Sequence, residues 1–203
     1  AGVLSRLGVK RALVVDGGTF IGNRAEYGGA IHVGAAGSAS IRGSTFEDNT
    51  ANQRGGALFL TDDGSIGVEA TAFTGNSADD NGGAIRWEDG SSGDGLLIST
   101  CTFENNSSAG YGGAIATFVG TSLVIADSTF NENVAEAGGG ALSAASLEAV
   151  VIGRSTFCLN EAGAEGGAVR FNDDAETVMT NNALVENTAG DSGGGVYLTG
   201  GSH

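Results

Sequence analysis

An all-β solenoid is the fold class this sequence predicts, and three observations carry it. A thirteen-residue stretch, FNENVAEAGGGAL at Phe130 to Leu142, recurs along the whole chain. Its aromatic stands at Phe20, Phe46, Phe73, Phe103, Phe130 and Phe157, with Leu184 in the seventh copy, at successive spacings of 26, 27, 30, 27, 27 and 27 residues. Thirty-seven glycines and no proline suit short strands joined by tight turns that need positive φ. No stretch sustains a 3.6-residue period, which argues against helix. A period this regular marks stacked supersecondary units. The 203 residues therefore form one elongated body.

Residues 1–12 depart from the repeat and read as a segment covering the solenoid edge, where unpaired backbone groups need blunting. Residues 13–200 carry the repeat, and Gly201-Ser202-His203 reads as a tag remnant. The abrupt opening AGVLSRLGVK and the end part-way through a seventh copy read as a fragment of a longer protein.

Each unit is predicted to contain three short strands. In the first, apolar residues occupy two columns two residues apart, such as Leu96 and Ile98 or Leu123 and Ile125, which marks an inward face. The second strand carries the inward Phe, so that seven large side chains stack along the axis. Three residues on stand Asn23, Asn49, Asn76, Asn106, Asn133, Asn160 and Asn187. At an interior turn their amides are expected to bond to one another from coil to coil, a structural role. The third strand follows a Gly pair, as in Gly112-Gly113 or Gly139-Gly140, where the backbone turns sharply and packs closely. Each strand pairing in parallel with the next coil gives a right-handed parallel β-helix of about seven coils, with an axis of roughly 30–35 Å.

The pairing of FxxN with GGA[ILV], once per coil from Thr19 to about Tyr197, resembles the chlamydial polymorphic outer membrane proteins and related right-handed β-helix repeat proteins of other bacteria and some protists. That resemblance implies an autotransporter passenger, extracellular or attached to the outer membrane in the full-length protein, that adheres to cells through a surface protein or glycan.

Charge narrows the partners. Twenty-four acids against nine lysines and arginines give a net charge of −15. Such a surface repels phosphate backbones and anionic headgroups, which excludes nucleic acid as an expected partner. No apolar run is long enough for direct membrane insertion. Cys101 and Cys158 lie two repeats apart, so their Cα atoms are expected roughly 9 to 10 Å apart, beyond disulfide reach.

Three outward features could carry function. Asp62, Asp63, Glu88 and Asp89 fall in loops of neighbouring coils, expected within roughly 5–10 Å of each other. They could hold Ca²⁺, the one cofactor the residues suggest. With Arg86 they could also form the site of a carbohydrate-active lyase or hydrolase. Acids in Gly/Ser-rich turns also arise simply as solvated turn formers. A second column runs His32, Phe59, Arg86, Ala116, Ser143, Arg170 and Tyr197 along the GGA strand. Arg86 beside Glu88, and Arg170 beside Asp173 and Asp174, read there as weak surface ion pairs. The third feature is an aliphatic stripe, Leu97, Val124, Val151 and Val178. It suits self-association or a partner, although β-propensity alone also places valines on strands.

No position gathers an acid, a base and a nucleophile. The leading expectation is a non-catalytic, surface-exposed or secreted adhesin-type scaffold. A carbohydrate-active enzyme and a self-associating structural module are the alternatives.

Overall fold

The computed structural model describes residues 11–34, 37–61, 64–88, 95–174 and 176–200. They form a right-handed parallel β-solenoid of seven coils, with four seven-stranded sheets. Every strand pairs in parallel with its counterpart one coil away. The six aromatics and Leu184 fall in a single register, from Phe20↔Phe46 to Phe157↔Leu184. Their rings lie parallel, within 8°, at centroid spacings of 4.6 to 5.0 Å. Adjacent strands sit about 4.8 Å apart, so the sheet itself sets the ring spacing.

Four strands per coil, where three were expected, is the main departure from the sequence reading. The residues after each Asn form a sheet of their own, from strands of four and five residues in the first two coils (Arg24–Tyr27 and Thr50–Arg54) and of two residues in the other five, such as Ser107–Ser108 or Val134–Ala135. Only one side chain of such a two-residue strand points inward, Ala78, Ala135 or Ala162 for example. Two residues cannot display the alternation by which a strand is recognised.

The corners explain the glycines and also replace many of them. The residue two after each Phe has positive φ in every coil: Gly22, Asp48, Gly75, Asn105, Glu132, Leu159 and Glu186. A second left-handed residue stands three before the Phe, and a third is the first glycine of each pair. The second glycine serves a different purpose. A Cβ on Gly113 would lie 2.1 Å from the Gly140 carbonyl oxygen and 2.6 Å from the Val134 backbone. No side chain fits where two coils approach so closely.

Two ladders of side-chain hydrogen bonds run inside. Asn106 Oδ1 accepts from the backbone N and the Nδ2 of Asn76, while Asn106 Nδ2 donates to Asn133 Oδ1 and to the Phe73 carbonyl. Asn49, Asn76, Asn106, Asn133 and Asn160 are fully buried. The second ladder stands two residues before the Phe. Ser128 Oγ accepts from Cys101 N at 3.1 Å, and Ser155 Oγ accepts from Ser128 N at 3.2 Å. Each of these hydroxyls donates to the carbonyl two residues back. Cys101 takes a rung of this ladder, and both Cys101 and Cys158 are free thiols. Along the fourth sheet two small inward residues stand between two large ones: Trp87, Thr117, Ala144 and Phe171. Their volumes compensate from coil to coil.

Candidate functional site

The fourth sheet comprises Ile31–Val33, Leu58–Leu60, Ile85–Glu88, Ile115–Phe118, Leu142–Ala145, Val169–Asn172 and Val196–Thr199. Its outward positions include His32, Phe59, Arg86, Ala116, Ser143, Arg170 and Tyr197 in register. Two residues further along the strands stand Glu88, Phe118, Ala145 and Asn172. In the fourth and fifth coils the outward residues other than Phe118 are the small Ala116, Ser143 and Ala145. Larger side chains stand before and after them. The result is a groove of about 490 Å³, with Ser143 and Ala145 in its floor, a volume within the usual range for ligand sites.

One end of the groove is closed by a four-membered ion network. Arg54 Nε donates to Asp80 Oδ2 at 2.9 Å, and its guanidinium also bonds Glu88 Oε1 at 2.7 Å. Arg86 donates through Nε and a terminal nitrogen to the same Glu88 oxygen, both at 2.9 Å. The bond to Asp80 holds the Arg54 guanidinium above its ordinary value, whereas burial pulls that of Arg86 below it. Arg86 also lies over the Phe118 ring, 5.6 Å from its centroid.

The other end is organised by Arg170. Its side chain doubles back across the fifth coil to place the guanidinium 4.8 Å from the centroid of Tyr111, two coils away. That path crosses Gly138, where a Cβ would come within 2.7 Å of Arg170 Cδ. The nearest carboxylate oxygen is that of Glu165, 3.6 Å from Nε. That is too long for a hydrogen bond. Among the described residues Arg170 Nε is buried without a hydrogen-bond partner.

The structure corrects the sequence reading of this column. Arg86 is not a solvated surface cation: its side chain is 8% exposed. Phe59, Ala116 and Ser143 are likewise buried. Side chains from the flanking loops and neighbouring strands wall the strand face and take it out of water. Arg170, expected beside Asp173 and Asp174, turns the other way, towards Glu165 and Tyr111. Asp174 instead accepts from Leu147 N at 2.8 Å, and burial raises its carboxyl above the ordinary range. His32 is exposed and forms a ring cluster with Phe59 and Tyr27.

Asp62, Asp63 and Asp89 lie outside the described residues. Of the acidic loop only Glu88 is described, and its Oε1 already serves two guanidinium groups. Among the described residues no three His, Cys, Asp or Glu side chains converge as a metal site. On the first sheet, Leu97, Val124, Val151 and Val178 stand in register on the outer face. Leu97 and Val151 are 48% and 39% exposed, while Val124 and Val178 are half-buried.

Sequence reasoning missed Arg54, Asn81, Tyr111 and Phe118. A signal for the first three was present. The position just before each Gly pair reads Tyr27, Arg54, Asn81, Tyr111, Gly138, Glu165 and Ser192, a variable column beside the invariant Gly pair.

Neither a curated protein nor a solved structure matches the chain. Residues 17–34 match a Chlamydia polymorphic membrane protein repeat, which together with the β-helix gives the chain the character of a surface, passenger-like scaffold. Four parallel sheets, seven coils and a match to the right-handed beta helix region over residues 29–203 place one conclusion beyond the individual site: this chain belongs to the right-handed β-helix family.

Proposed function

We propose that the chain is a non-catalytic, surface-exposed or secreted scaffold of the adhesin type, and that the outer face of its fourth sheet holds a glycan. The observation that carries this reading is the groove over Ser143 and Ala145, set between two arginine–aromatic pairs on an otherwise repetitive body. Aromatic rings beside hydrogen-bonding side chains suit a ligand with apolar ring faces and hydroxyl edges. Asn81, Ser143 and Asn172 supply such polar groups along the groove. The Tyr27, His32 and Phe59 cluster extends the same face towards the first coil, as contact with a long chain would require.

An enzymatic reading draws little support from Glu88, whose carboxylate bonds Arg54 and Arg86 where proton transfer needs a group free to exchange a proton. The testing experiment is binding of the labelled protein to cultured cells, before and after removal of surface glycans, and to an oligosaccharide array. Binding is expected to fall at least tenfold in Ser143→Trp, which fills the groove, and in Phe118→Ser, which removes an exposed rim ring. Binding untouched by both substitutions, or no binding to any cell or glycan, would refute the proposal.

A further inference from the structure

We infer that the groove selects a short acidic saccharide, reading a sugar carboxylate with Arg170, an assignment that rests on the glycan reading above. Three independent features point to it.

The first is the state of the groove arginines. Arg86 is consumed by its bonds to Glu88 and Arg54 by its bonds to Asp80 and Glu88. Arg170 is held chiefly by packing: its stem lies over Gly138 and its guanidinium on Tyr111. Among the described residues it makes no hydrogen bond, and its only ion pair is the 3.6 Å approach of Glu165. A planar fork of donors fixed in place with its bonds unmade is suited to a carboxylate, which it can take in bidentate fashion. Stacking on Tyr111 removes in advance part of the rotamer entropy that binding would otherwise cost.

The second is charge placement. The chain carries −15 and nine cationic side chains. Three of those nine line this groove; among the described residues Glu88 is the one carboxylate in its lining, with Asp80 and Glu165 beside Arg54 and Arg170. An acidic body discourages anions everywhere else, so an anion that does approach is concentrated at this point.

The third decides between a saccharide and an acidic peptide. The main-chain route open to an extended peptide, adding a strand, needs an exposed sheet edge. This groove lies on a sheet face, where strands pair with the coils on either side. Recognition must come from side chains: Ser143 in the floor, Asn81 and Asn172 beside it, and the exposed rings of Tyr111 and Phe118. Hydroxyl-rich rings bearing a carboxylate match that set.

The test is calorimetric titration of the whole chain with hyaluronan tetrasaccharide, an alginate tetramer and sialyllactose. Each is paired with its carboxyl-reduced neutral form, and polyglutamate of similar charge serves as the peptide arm. At least one acidic saccharide is expected to bind ten times or more tighter than its reduced form, with affinity falling as salt rises. Arg170→Gln is expected to abolish that preference while leaving binding of the neutral form within threefold. Arg170→Lys, a point charge lacking the planar fork, retains part of the preference. Should Arg170→Gln unfold the coil, Tyr111→Leu tests the same platform from an exposed loop and is expected to lower the preference severalfold. Equal binding of acidic and reduced saccharides overturns the carboxylate assignment while leaving the glycan reading intact. Polyglutamate binding as tightly as the saccharides overturns it in favour of charge alone. Binding of no saccharide at all overturns both.

Discussion

The interior of this solenoid and the outer face of its fourth sheet follow opposite rules. Inside, three positions hold close to one residue type each: Phe stacks on Phe, Asn on Asn, and glycine faces glycine across coils. On the outer face the same strands carry His32, Phe59, Arg86, Ala116, Ser143, Arg170 and Tyr197, a different residue at almost every coil. Much of that face is also buried, yet its burial comes from side chains reaching in from loops and from other coils. Stacking at a fixed strand spacing favours repetition at those three positions, because each residue must fit its own copy. Walling off a surface from the side imposes no such identity. Repetition therefore marks what holds the coils together, and departure from it marks where a site can form.

The largest effect that separates the two regions is expected from glycine. Gly113→Ala forces a Cβ to within 2.1 Å of the Gly140 oxygen, and the neighbouring coil must shift. We expect a loss of about 4 kcal/mol or more, in the range reserved for a specific structural failure. Gly67→Ala, on the outer face of the first sheet with nothing within 4 Å, is expected to gain about 0.5 kcal/mol, since glycine in a strand is the poorer residue. Urea denaturation followed by circular dichroism reads both. Similar midpoints for the two variants would erase the distinction between inside and outside.

Asn106→Ala comes next. It removes four hydrogen bonds at once and strands buried donors of Asn76. Each stranded group costs roughly 1 to 3 kcal/mol, and a total of about 3 to 5 kcal/mol is expected. Asn23→Ala is the sharpening control. Asn23 donates to Asn49 Oδ1 from its backbone N and its Nδ2, and the substitution deletes only the second bond. A loss of about 1 kcal/mol is expected there. Equal losses at the two sites, measured in the same urea titration, would mean that the ladder carries no special weight in mid-solenoid.

How much of this was legible in the sequence depends on which rule governs the residue. Phe103, Asn106 and Ile115 could be placed from spacing alone, because repetition every 27 or 30 residues states directly which side chains meet. Val134–Ala135 could not, since a two-residue strand has no alternation to show. Left-handed corners were visible at Gly22 and Gly75 but hidden at Leu159 and Glu132, which adopt the same φ without glycine. The outward column of Arg86 and Arg170 is plain from the repeat, whereas their burial is not. It depends on Phe118, Tyr111 and Arg54, whose reach is set by tertiary packing. The turn of Arg170 towards Tyr111 further depends on a side chain that Gly138 lacks. An absence of that kind becomes meaningful only once the coils are stacked.

The smallest expected effect concerns an interior rung where a thiol stands in the hydroxyl ladder. Cys101 stands in the hydroxyl ladder, 2% exposed, with its thiol 3.2 Å from the Ser99 carbonyl. Burial pushes that thiol up to about 11. A raised acid pKa means that the folded chain holds the proton more tightly than the unfolded chain. The resulting stability is complete below the ordinary thiol pKa, near 9, and drains away as pH rises through about 11. Tighter proton binding of that size corresponds to at most about 3 kcal/mol, so a loss on the order of 2 kcal/mol is expected between about pH 8 and pH 11. The variant Cys101→Ser isolates the thiol. It is expected to match the parent within about 1 kcal/mol at neutral pH and to lose less stability on going to alkaline pH. Parallel pH profiles for parent and variant would show that the thiol is not sealed from water, and that the interior tolerates a departure from its repeat more readily than the Gly113 and Asn106 substitutions imply.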